Sequence, residues 1–119
     1  MRIWPMLALG CLLSLSAVGP AGAHALLESA GPAVGGSVAE PPGEVVLRFS
    51  GAIEAGFSRI ELHDAAGGLV AGPAAVAGGP GELRLVLPVL APGAYQVVWH
   101  ATSIDGHMTQ GRFGFRVGK

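Results

Sequence analysis

The chain holds a single cysteine among 119 residues, and that one, Cys11, falls inside a segment read below as a leader. The domain that follows therefore has no thiol. This excludes disulfides, thiolate zinc sites and blue-copper electron-transfer centres, all of which need cysteine. Charge is scarce too, at 13% of residues. With Arg2 lost alongside the leader, 6 of the 7 Lys and Arg remain against 8 Asp and Glu, a net charge of -2 with histidines neutral. That balance is neither a nucleic-acid footprint nor a basic membrane patch. Aromatic residues make up only 6% of the chain. After the leader no stretch has helical periodicity, and there is no internal repeat, no second domain and no phosphate-cradling loop opening a helix. What the chain has in quantity is punctuation, 20 glycines and 9 prolines placed mainly in turns.

Residues Met1 to Ala23 read as a secretory signal. Arg2 supplies the positive start, Ile3 to Val18 is a mostly apolar run, and Ala21-Gly22-Ala23 has the small-residue pattern of a cleavage site. As a membrane anchor the run is short of the roughly 20 residues a spanning helix needs, and Pro5, Gly10 and Pro20 interrupt or flank it. A lipid-modified Cys11 is disfavoured by the preceding Ala8-Leu9-Gly10, and cutting there would leave the apolar Leu12 to Val18 at the new terminus. The expected organisation is a cleaved leader, 1–23, and one small exported domain, 24–119.

Within that domain the apolar residues alternate between turn signals. Ala25 to Ser29, Glu44 to Phe49, Ser58 to Asp64, a minor strand near Leu69 to Ala71, Glu82 to Pro88, Ala94 to Ala101 and Gly111 to Val117 read as strands. Ile60 and Leu62 should face inward, as should Tyr95, Val97 and Trp99, and Phe113, Phe115 and Val117. Arg59, Glu61 and His63 should face out, as should Arg112 and Arg116. Gly78 to Gly81 reads as a hairpin connection. About seven strands with turns every 8–12 residues indicate an all-β fold, an antiparallel Greek-key barrel or sandwich of immunoglobulin-like type.

Cleavage after Ala23 makes His24 the first residue of the mature protein. Such a histidine offers two adjacent nitrogens, its α-amine and its imidazole Nδ1, which close a six-membered chelate ring on one metal ion. An α-amine with an unperturbed pKa of about 7.7–8.0 loses its proton readily to a strong Lewis acid. Near the C-terminus, Ser103-Ile-Asp-Gly-His-Met108 connects the last two long strands. In an extended segment residues i and i+2 share a side, so Asp105 and His107 can present a carboxylate and an imidazole to the same ion. With His24 this makes an N3O donor set, which suits Cu(II). Cu(I) prefers sulfur, and the domain offers only Met108. An Asp-Gly-His triplet alone is usually just a turn, and a histidine after a cleavage site alone is background. Their conjunction in a small cysteine-free exported domain is far more specific. His63, beside Asp64, reads as a solvated surface histidine, His100 as a surface or supporting group, and Glu54 as a solvated loop residue.

The same residues carry a resemblance. His24-Ala-Leu-Leu-Glu-Ser-Ala-Gly-Pro, Val46-Leu-Arg-Phe-Ser, Ala91-Pro-Gly-Ala-Tyr-Gln-Val-Val-Trp and Ser103-Ile-Asp-Gly-His, with Gly111 and Phe115, resemble the CopC (PcoC/YobA) family of periplasmic copper-resistance proteins. The resemblance spans essentially all of the domain. It implies a seven-stranded Greek-key β-barrel that binds one Cu(II) through His24, Asp105 and His107. It also implies a CopD-type inner-membrane copper protein as partner, expected here as a separate chain. The chain departs from the family in two places. The methionine-rich segment of some members is missing, and Gly51 stands where some carry a carboxylate after the Phe-Ser of the second strand.

The expected function is thus an exported, monomeric Cu(II)-binding protein of copper resistance and homeostasis, and not an enzyme. A histidine-brace monooxygenase would share the N-terminal histidine. It would need a broad substrate face, however, and Asp105 fills the position oxygen would take. A metal-free immunoglobulin-like interaction domain is the remaining alternative.

Overall fold

The computed structural model describes residues 25–118; Met1 to His24, and with them the leader and the proposed terminal ligand, lie outside the described residues. Nine strands occur among the described residues: β1 (Leu27–Gly31), β2 (Ser37–Val38), β3 (Glu44–Phe49), β4 (Arg59–Asp64), β5 (Leu69–Ala71), β6 (Val76–Gly79), β7 (Glu82–Val86), β8 (Gly93–Thr102) and β9 (Met108–Val117). A 3₁₀ turn, Ala55–Phe57, precedes β4. The strands form two sheets, one ordered β1-β3-β7-β6 and the other β2-β9-β8-β4-β5.

The alternation expected from the sequence is what closes the sandwich. Val45, Leu47, Leu83 and Leu85 from the first sheet meet Ile60, Leu62, Val97, Phe113 and Phe115 from the second, each at most 7% exposed. Side chains of period two place one apolar row per strand on the inner face, and burying those rows drives the sheets together. Trp99 sits edge-on to Phe49 with ring centroids 5.3 Å apart, and Tyr95 stacks on Phe115 at 5.8 Å. The Tyr95 hydroxyl donates to the Ala91 carbonyl at 2.6 Å, so the ring is buried without stranding its polar end. Gly111 is needed opposite Trp99, because a Cβ there would come within 2.8 Å of the indole. The paired strands β8 and β9 keep one register from Gly93↔Val117 to Thr102↔Met108. Their turn therefore stands at one end of the sandwich.

The structure departs from the seven expected strands at two places. Strand β2 is two residues long and pairs with β9 in parallel, the exception to the antiparallel pairing elsewhere. Strand β6 has the sequence Val-Ala-Gly-Gly, with no alternation to announce it. It forms because β7 offers an edge whose backbone groups need partners, and ladder bonding there outweighs the poor strand propensity of glycine. The expected hairpin connection survives only at Pro80-Gly81, since Gly78 and Gly79 belong to the strand.

Candidate metal centre

Strand β8 leaves its ladder at Thr102 and β9 begins at Met108, so five residues make the connection. Ser103 is 3% exposed and bridges to Ile53, and the Ile104 N–H donates to the Ala52 carbonyl at 3.2 Å. The turn closes on itself as well, with Gly106 N–H donating to Ser103 O at 2.9 Å and Ser103 N–H to His107 O at 2.8 Å. Gly106 has φ +92°, a conformation that costs other residues energy and costs glycine little.

The Asp105 carboxylate is the hub of this turn. Its Oδ1 accepts from the Ser103 hydroxyl and, at 3.2 Å, from the His107 N–H. Its Oδ2 lies 3.1 Å from His107 Nδ1. The Ser103 hydroxyl, then the His107 N–H, hold the charged form, and the carboxyl pKa falls from 3.8 to about 2. Asp105 is thus an anion at any pH where a histidine nitrogen can bind metal.

The sequence argument placed Asp105 and His107 on one side of an extended segment. They do meet, but in a tight turn. An aspartate two residues before an N–H folds its carboxylate back onto the chain, which is a local bond an extended segment cannot make. The donor spacing fits one ion. Two donors at right angles, each about 2.0–2.1 Å from a metal, stand about 2.9 Å apart. The Nδ1 and Oδ2 atoms are already close to that spacing, at 3.1 Å.

At the other end of the chain, Ala25 is 2% exposed. Its carbonyl accepts from the Thr109 hydroxyl at 3.0 Å. Leu26 N–H donates to Ser50 Oγ at 2.9 Å, and Ser50 N–H returns a bond to Leu26 O at 2.7 Å. Thr109 lies on β9, two residues beyond His107, which in a strand is about 7 Å along the chain. The residue before Ala25 is joined to it by one peptide unit, about 3.8 Å between Cα atoms. Ala25 is therefore fixed within reach of the Asp105–His107 turn.

The other candidates stay apart. Among the described residues no three His, Cys, Asp or Glu side chains converge as a metal group, so neither Glu54 nor His100 joins Asp105 and His107 in one. His100 lies on the outer face of β8 and lines a groove of about 510 Å³ with Phe57, Arg59 and the 78%-exposed Met108. His63 faces outward as expected, yet it is held rather than freely solvated. Its Nε2 lies 2.9 Å from Glu61 Oε1 and its Nδ1 3.3 Å from Gly67 O, and the Glu61 bond in particular raises its pKa above 6.5. Ser103 and Thr109 were not singled out by the sequence. Ser103 left a local signal, a hydroxyl two residues before an aspartate. Thr109 left none, since its partner is 84 positions away.

The CopC domain family matches residues 27–118. Protein YobA of Escherichia coli K12 is 34% identical over 110 residues, covering 89% of each chain. Among solved structures, CopC from Methylosinus trichosporium OB3b is 38% identical with a TM-score of 0.76, covering 79% of this chain and 93% of that one. PcoC from Escherichia coli, a methionine-rich copper resistance protein, is 29% identical with a TM-score of 0.73 and covers 80% and 99%.

Proposed function

Because this chain belongs to the CopC family, we propose that it is an exported protein that binds one Cu(II) and delivers it within a copper-resistance system. The leader 1–23 is removed on export to the periplasm, and the domain 24–119 carries the site. His24 supplies its α-amine and imidazole, Asp105 a carboxylate and His107 an imidazole. Copper is the cargo here, and the protein's work is to hold it. Delivery is to a membrane copper protein of CopD type, with the carrier itself a monomer.

The observation that carries this reading is the pairing of an ionised Asp105 with His107 Nδ1 at 3.1 Å on the turn toward which Ala25 is fixed. Nitrogen and oxygen donors favour Cu(II), and the copper-resistance relative supports copper as the metal. An anionic carboxylate among the ligands stabilises Cu(II) against reduction and fills a coordination position. This supports storage and transfer over oxygen chemistry. PcoC is described as methionine rich, whereas the domain proposed here carries only Met108. Binding of Cu(I) should therefore be weaker.

Electron paramagnetic resonance of purified residues 24–119 with Cu(II) tests this. One copper per chain in a tetragonal site with at least two nitrogens is expected, without the intense colour of a copper–thiolate bond. Fewer than two nitrogens, no copper retained on gel filtration, or tighter retention of Cu(I) in ascorbate would overturn it.

A further inference from the structure

The described segments on either side of the proposed site belong to opposite sheets. Asp105 and His107 sit between β8 and β9, in the five-stranded sheet, whereas Ala25 leads into β1, at the edge of the four-stranded sheet. The bonds between Leu26 and Ser50 tie the start of β1 to the end of β3, within its own sheet. The Thr109 hydroxyl does something else. Its bond to the Ala25 carbonyl, 3.0 Å long, crosses from β9 to the segment before β1 and so links the two sheets directly.

We propose that Thr109 is a positioning residue for the terminal chelate. Its hydroxyl holds the Ala25 carbonyl so that the residue before it is presented to the Asp105–His107 turn. The inference rests on the function proposed above and adds a residue that does not touch the metal. Chain ends fray unless they are tied down, and a ligand on a frayed end loses conformational freedom each time it binds. A carbonyl held in place beforehand removes part of that loss, which is the benefit of preorganisation. Thr109 is suited to this. It pairs with the buried Ala101 on β8, so its backbone is fixed by the longest ladder in the molecule. The bond also starts only two residues from His107, so movement of β9 carries the imidazole and the Ala25 anchor together.

The test compares Thr109→Val, which keeps the shape and strand preference but removes the hydroxyl, with Thr109→Ser, which keeps the hydroxyl. Both are made in the 24–119 protein and again in a protein that combines His24→Ala with one residue added before position 24, which removes the imidazole and the α-amine together. In the metal-free state, hydrogen exchange at Leu26 and Leu27 should quicken in the Val variant and stay as in the parent in the Ser variant. Cu(II) competition titration should show roughly fivefold weaker binding for Val, the scale of one lost hydrogen bond, and near-parent binding for Ser. In that combined background the Val change should have no effect on affinity, because both donors it positions are gone. Unchanged affinity in Thr109→Val, or an equal loss with and without His24, overturns the positioning role while leaving the site intact. If His24→Ala alone binds copper like the parent, the chelate is wrong and the positioning role falls with it.

Discussion

The turn Ser103–His107 and the segment Ala25–Leu26 flank the proposed site, yet they are held in opposite ways. In the turn, the bonds around Asp105 link residues two positions apart, and Gly106 supplies the backbone geometry. Such a structure can form as soon as the local chain exists. Ala25 and Leu26, by contrast, are fixed by partners 84 and 24 positions away, Thr109 and Ser50. The Leu26 contact needs β1 paired with β3, and the Ala25 contact needs both sheets packed. One half of the proposed site is therefore local and the other is a product of the whole sandwich.

The sharpest way to break this comparison is at the terminus. A single residue added before His24 turns the amine into an amide and should weaken Cu(II) binding by at least about 100-fold, since losing even a group that only supports a ligand costs about 10–100-fold. Replacing His24 with alanine should come close to that. Competition titration against a chelator of known affinity reads both, and parent-like binding by the extended protein would show that the long-range half contributes nothing. In the local half, Asp105→Asn keeps the shape and removes the charge, and roughly tenfold weaker binding is expected. A loss greater than that of the terminal variants would reverse the ranking of the two halves.

Ser103→Ala probes how the turn keeps Asp105 charged. Without the hydroxyl, the carboxyl should titrate back from about 2 toward 3.8, as followed by carboxyl NMR. Because the folded value is depressed, the stability Asp105 contributes is present above 3.8 and disappears as pH falls from there toward 2. The Ala variant should lose that acid-range difference, and copper affinity near neutral pH should fall only a few-fold. An unchanged titration would mean that the His107 contacts alone hold the charge.

The smallest effect belongs to His63, which lies outside both segments. Its pKa is raised by Glu61, so what it contributes to stability is complete below pH 6.5 and fades as pH rises through the folded value. His63→Gln should narrow the difference in Tm from the parent at alkaline pH relative to pH 5.5, with copper affinity unchanged. A change in affinity would place His63 in the metal chemistry.

Much of the framework was legible from residues alone. Ile60 and Leu62, Val97 and Trp99, and Phe113 and Phe115 alternate with polar neighbours, and each is buried as that alternation requires. Period-two patterning is a local signal that one face of a sheet imposes on its own strand. Strands β2 and β6 escaped notice because neither has a pattern of its own, and each exists because a neighbouring edge needed partners. At the proposed site, the Asp-Gly-His spacing brought Asp105 and His107 together on paper through an extended segment, and the structure brings them together through a turn. Asp105 and His107 meet because the carboxylate turns back onto the chain, and not because the segment is extended.

The sequence by itself determined which donors exist: the histidines, the aspartate at 105, and the absence of any thiol after Cys11. It also determined that the strands would alternate and that the last turn would close around Gly106, since these depend on residues within a few positions of one another. Only the tertiary structure decided that Ala25 lies against Thr109, so that the chain's first described residue meets β9 two residues past the turn. A hydroxyl and a carbonyl 84 residues apart carry no mark of each other in the sequence, and two packed sheets are what bring them together.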